Sequence, residues 1–176
     1  MKKIIFTLLF ITAAFWGCNP EMISVHKNDA DNSMTYRLET GYILGRTGSV
    51  VLLPCGTINA EKVIKNDSIF YNLVVDAWTN EWLEIESGRS LLFSLDNLVI
   101  SFDSPEGGGK NKTFINNRWG NCSEKAWYPC TGEDLQKIAS AKKVLFRIKG
   151  MKRELQGEFE QDGLANFQEF VKLHVK

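Results

Sequence analysis

The sequence predicts an α+β fold in one domain: an antiparallel β-meander followed by a helix-hairpin-helix unit packed on the sheet. Three observations carry that expectation. Alternation of apolar and polar side chains dominates the middle of the chain, most clearly from Ser90 to Phe102. From Thr131 to Lys176 a helical pattern stands on each side of a second alternating pair. The composition, 176 residues of which 44% are hydrophobic and 24% charged, supports one sizeable core and is short for two. Disorder and collagen-like repeats are excluded by the same numbers.

The first eighteen residues read as an export signal. Met1, Lys2 and Lys3 form a basic start, the run Ile4 to Trp16 carries no charge, and Gly17 and Cys18 follow. Such a run makes a helix of roughly 20 Å, short of the ~30 Å hydrocarbon core, so it does not read as a permanent span. Small Gly17 directly before Cys18 resembles the lipobox of bacterial lipoproteins. That resemblance implies lipid on Cys18, cleavage before it, and residence on the periplasmic side of a membrane or on the cell surface. The competing reading is an ordinary signal cut after Ala14, which leaves Cys18 an ordinary cysteine. The organisation expected is therefore a signal peptide over 1–17, a lipid-anchored tether over 18–33 and one α+β domain over 34–176. The tether rests on the polar, aperiodic stretch from Asn19 to Ser33 with Pro20.

Within the domain, strands are expected at Thr35 to Leu44, Ser49 to Leu53 and Ile69 to Trp78, with Gly45 to Gly48 as a turn. Ser90 to Phe102 reads as a hairpin about Asp96-Asn97, which sets Leu95 against Leu98, Phe93 against Ile100 and Leu91 against Phe102 on one apolar side. A loop at Ser87-Gly88-Arg89 would bring Leu83 and Ile85 onto the same side. Thr131 with Asp134 gives a helix start, with Leu135, Ile138 and Ala139 at helical spacing to about Ala141. Lys143 to Lys149 and Lys152 to Glu160 form a hairpin about Gly150-Met151, with Arg147 opposite Glu154, Lys143 opposite Glu158 and Phe146 meeting Leu155. A last helix opens near Asp162 and faces Leu164, Phe167, Phe170, Val171 and His174 inward. Phe93, Ile100, Phe146, Leu155, Phe167 and Phe170 are expected in one core.

Functional signals are few. Twenty-one Lys and Arg balance twenty-one Asp and Glu, so no long-range field draws the chain to nucleic acid. Removing residues 1–17 takes away two lysines and no acid. The cations between Lys142 and Arg153 face acids across the expected hairpin and read as a solvated surface. His26 and His174 stand near the two ends, which argues against a histidine base. No Cys-x2-Cys or His-x3-His spacing is present, and no metal or other cofactor is expected. If Cys18 is lipidated, Cys55, Cys122 and Cys130 remain. A bridge between Cys122 and Cys130 needs a bend, because a straight strand would hold them ~26 Å apart against the ~4.4–6.8 Å a disulfide requires. Cys55 is the alternative partner of either.

The long connection from Ser104 to Asn121 is where function is expected. It holds Gly107-Gly108-Gly109, and its Lys110, Asn117, Arg118 and Trp119 are the side chains a glycan or peptide site would use. Trp78, Trp82 and Trp127 read as strand residues packed on the sheet. The function expected is a lipid-anchored cell-envelope binding or interaction domain, not an enzyme, touching the membrane through its lipid and a glycan or protein through this loop. The alternatives are a small carboxylate-based envelope hydrolase and an inhibitor or immunity-type protein.

Overall fold

A computed structural model describes residues 22–46, 53–108, 111–117 and 120–176. Among them eleven strands form one antiparallel sheet: β1 (Ile23–Asn28), β2 (Ser33–Leu38), β3 (Tyr42–Arg46), β4 (Leu53–Lys65), β5 (Ser68–Thr79), β6 (Gly88–Leu95), β7 (Leu98–Ser104), β8 (Lys112–Asn117), β9 (Gly120–Cys130), β10 (Val144–Lys149) and β11 (Glu154–Phe159). Two helices accompany them, α1 (Gly132–Ser140) and α2 (Gln161–His174). The strand order is β7-β6-β10-β11-β3-β4-β5-β9-β8, with β2 also joined to β4 and β1 outside β2. At one end β7 comes to lie against β9, near the other end, so the sheet curls back toward itself.

This order corrects the expected fold class. The hairpin β10–β11 does not belong to a separate unit packed on a meander. It sits inside the sheet, pairing with β6 on one side and β3 on the other, and joins the early strands to the β6–β7 hairpin. The molecule is therefore predominantly one antiparallel β-sheet with two helices against it. Alternation within a hairpin reports which side faces inward, but pairing between distant strands leaves no local trace.

Local readings fared better. The β6–β7 hairpin has the expected register, with Leu95 opposite Leu98, Phe93 opposite Ile100 and Leu91 opposite Phe102. In β10–β11 the register is displaced by two residues, because a longer turn closed by Gly150 N–H to the Arg153 carbonyl replaces the expected two-residue turn. Phe146 meets Gly157, and Ile148 meets Leu155. An even displacement keeps every side chain on its face, so Lys143 still pairs with Glu158 at 3.4 Å and Arg147 with Glu154 at 3.7 Å. The Thr131 capping box is present: its hydroxyl accepts from Asp134 N–H while the Asp134 carboxylate accepts from Thr131 N–H.

Three further expectations change. Thr35 to Leu44 is two strands, because Asn59 on β4 accepts the Gly41 amide at 2.9 Å and fixes a corner between β2 and β3. Ile23–Asn28, read as tether, is strand β1 along β2, and Glu39 N–H also bonds the Met22 carbonyl. Gly88 and Arg89, read as loop, already belong to β6 and pair with Ser104 and Asp103. The expected strand at Ser49 to Leu53 lies outside the described residues except for Leu53, which opens β4.

One hydrophobic core unites the elements other than β8. Phe93, Phe146, Leu155, Phe167 and Phe170 are buried in it and Ile100 packs at its margin, so the six expected core residues share one cluster. Phe159 links them, stacking on Phe93 at 6.4 Å and meeting Phe167 edge to face at 5.5 Å. Truncating a ring in such a cluster removes about 3–5 kcal/mol, a large part of a domain's net stability.

Candidate functional site

The segment between β5 and β6 is the keystone of the site. Thr79 ends β5 and its hydroxyl donates to the Glu81 carbonyl at 2.7 Å, turning the chain out of the sheet. Leu83 and Ile85 then point inward and are buried, while Trp82 and Glu84 point outward. Glu84 takes a φ of +57°, in the left-handed region that lets the backbone reverse there. The segment is tied to three neighbours. Met151 N–H bonds the Glu84 carbonyl at 2.9 Å, Glu86 N–H bonds the Lys149 carbonyl at 3.2 Å, and Gly108 N–H bonds the Ile85 carbonyl at 3.0 Å.

Glu124 completes that attachment from β9. Its side chain is fully buried and its two oxygens accept the amides of Glu84 at 2.9 Å and Ile85 at 3.0 Å. Hydrogen bonds to a carboxylate are stronger than neutral ones, and two parallel donors satisfy a group whose burial would otherwise be costly. This carboxylate holds backbone in place. A side chain at Gly108 would press within 3.0 Å of Glu124 Oε2, which keeps the approach small.

What this frame presents outward is an aromatic and cationic corner. Phe114 on β8 meets Trp82 edge to face with centroids 5.0 Å apart, yet remains 79% exposed. Lys112, two residues along the same side of β8, places Nζ 5.5 Å from the Trp82 ring centre and 3.9 Å from Glu84 Oε1. Lys152 reaches the same Glu84 oxygen at 3.0 Å, and Arg153 pairs with Glu81. The Lys152 ammonium holds the Glu84 carboxyl below its ordinary range, with Lys112 adding to the effect. Met151, at the β10–β11 turn, is also largely exposed. The start of β8, the β10–β11 turn and the β5–β6 segment thus bring two apolar prongs, Phe114 and Met151, and three cations around the carboxylates of Glu81 and Glu84.

The expected site overlaps this corner without coinciding with it. Residues 104–121 are not one long loop, because Lys112–Asn117 forms β8 and pairs with the start of β9. Asn117 closes that hairpin opposite Gly120. Lys110, Arg118, Trp119 and Cys18 lie outside the described residues. Sequence reasoning missed Phe114 as an exposed ring and Trp82 as its partner. Trp78 and Trp127 are strand residues as expected, whereas Trp82 lies outside the named strands. The alternation Trp82, Leu83, Glu84, Ile85 was the available signal, and it was read as a continuation of the meander.

The expected disulfide is corrected. Cys55, Cys122 and Cys130 are free thiols. Cys122 and Cys130 stand eight positions apart on one uninterrupted strand, so the bend a bridge needs is missing. Cys55 Sγ instead approaches the Ile43 carbonyl at 3.7 Å and Cys122 Sγ the Asn80 carbonyl at 3.8 Å. Burial pushes the Cys55 and Cys130 thiols up to about 12, far from the thiolate range that nucleophiles use.

Two shallow depressions lie elsewhere. One of about 580 Å³ is lined by Leu92, Val99, Leu145, Arg147 and Glu158 on the outer side of β6, β10 and β11. The other, about 640 Å³, lies beside the β4–β5 turn and is lined by Ile69, Phe70 and Pro129. Among the described residues no group of three His, Cys, Asp or Glu side chains could hold a metal ion. No protein-family model matches this chain, and no match to it was found among curated proteins or solved structures.

Proposed function

We propose that this chain is a lipid-anchored domain of the cell envelope that binds another macromolecule through the corner built by Trp82, Lys112 and Phe114. The observation that carries the reading is Phe114: a phenyl ring 79% exposed, braced on Trp82 and carried by a strand. An exposed ring of that size costs solvation free energy in the unbound chain, and its burial in a contact would return about 1.5–3 kcal/mol. The anchor rests on the uncharged run and Gly17-Cys18. Rings and cations held rigidly beside one another are the composition of an interface centre, where aromatic and cationic anchors dominate affinity. A carboxylate hydrolase would need an acid held protonated at neutral pH, and at this corner Lys152 moves Glu84 in the opposite direction.

The test is photo-crosslinking in living cells, with benzoylphenylalanine placed at position 114 and, as a control, at exposed position 173 of α2. A discrete adduct from position 114, lost in the Trp82→Ala background and lacking at position 173, is expected. Equal or missing adducts at the two positions overturn the reading.

A further inference from the structure

We infer that the ligand of this corner is an extended acidic peptide segment that adds to the open edge of β8 as a further strand, an inference that rests on the corner being a binding surface. Among the described strands β8 pairs with β9 on one side and with no strand on its other, so it ends the sheet path. An edge strand offers main-chain donors and acceptors to any chain that can lie alongside it, and side chains at alternate positions then set the choice of partner. In β8 those positions are Lys112 and Phe114, which share a side because they stand two apart.

The charges at this side specify the partner. Lys112 and Lys152 share the single Glu84 carboxylate, Arg153 is matched by Glu81, and the buried Glu124 carboxylate opposite Lys112 is occupied by two backbone amides, so the charges balance in number and Lys112 is the most loosely paired of the three cations. Lys112 stands at 3.9 Å from Glu84, beyond hydrogen-bond reach, so an incoming carboxylate can give it a closer acceptor than it has. Two residues on, the Phe114 ring with Trp82 behind it offers an apolar face. A strand laid antiparallel to β8, as the strands of this sheet pair, therefore meets the ring and then the cation along one side, and the matching sequence is an apolar residue followed two positions later by an acidic one. The same lysine deters pairing between two copies, because a second β8 would bring like charge to the edge.

A peptide array tests this with the full chain as it exists. The probes are seven-residue peptides carrying Val-x-Glu at their centre, the charge-reversed Val-x-Lys series, and Val-x-Glu peptides methylated on one backbone amide at a time. At low salt, Val-x-Glu peptides are expected to bind at least tenfold more tightly than Val-x-Lys peptides, and Lys112→Glu should reverse that order. Methylation should weaken binding at every second amide and leave the intervening ones unchanged, which is the signature of strand pairing. Insensitivity to methylation, or equal binding of the two charge series, overturns the proposal. Circular dichroism melting of Lys112→Glu confirms that the variant is folded, and Lys112→Gln, which abolishes the preference without reversing it, is the second variant. If peptides fail while the position-114 crosslink persists, the corner binds something else. If both fail, the binding reading itself falls.

Discussion

A histidine and a glutamate show how little a residue's type says about its work here. Glu124 is an acid with no access to solvent, and it acts as a backbone clamp. His174 closes α2 with its ring 5.1 Å from Tyr36 and 4.9 Å from Phe170, as a core-edge position should. Burial, with Lys62 nearby, lowers its pKa, so the folded state holds the ring neutral where the unfolded chain begins to protonate near 6.5. In that window the unfolded state binds more protons, so the contribution of this residue is fully present above about pH 6.5 and is lost as pH falls toward the lowered value. Urea unfolding at pH 7.5 and pH 5 should show the wild type losing more stability on acidification than His174→Gln. Equal losses would mean that the ring titrates in the fold as it does in water. The position of His174 was legible from helical spacing alone. The role of Glu124 was not, because its partners are amides some forty residues away in sequence.

At the scale of elements, legibility followed the distance over which an element is decided. The β6–β7 register could be read because a two-residue turn and facing apolar pairs fix it within a single hairpin. Both helices could be read from spacing, and α1 from its capping box. By contrast β4, the longest strand, was invisible: Asn59 and Glu61 are buried in it by partners on β2, on β5 and at the β2–β3 corner, which breaks the alternation a strand is recognised by. β8 was hidden because Lys112–Asn117 is largely polar and forms only against β9. The joint between β11 and β3 depends on two glycines set opposite each other, Gly157 and Gly45. A Cβ at Gly157 would lie 1.9 Å from the Leu44 carbonyl oxygen, which is backbone and cannot swing aside. Gly157→Ala must therefore part the two strands that join the early and late halves of the sheet. A loss of about 3 kcal/mol or more is expected, seen as a melting temperature lower by roughly 10 °C. Gly88→Asn is the control, since nothing lies within 4 Å of its Cβ and asparagine tolerates its positive φ of +77° better than other side chains. Its cost should stay under about 1 kcal/mol. Comparable losses in both variants would show that the joint is not the constraint.

For the whole molecule, the sheet order ties the two ends of the argument together. The strand β1 opens within a few residues of Cys18, and β2 carries β1 onto β4 at the middle of the sheet. Four peptide steps from Cys18 to Met22 span at most ~14 Å, so on the proposed reading the lipid would hold the folded domain against the membrane rather than on the longer tether that the sequence suggested. No helix of the described residues is long and apolar enough to cross a membrane. On the proposed reading a lipid on Cys18 would supply membrane association through buried methylenes, at about 0.8 kcal/mol each. On that reading Cys18→Ser removes the attachment point. In cell fractionation the wild type should sediment with membranes and release only with detergent, while Cys18→Ser should lose the lipid and stay as uncleaved precursor. Mass spectrometry of the mature protein gives the sharper reading: a diacylated cysteine at its N-terminus is expected, and a mature chain beginning anywhere other than Cys18 would remove the anchor from the proposed function while leaving the Phe114 corner to be tested on its own.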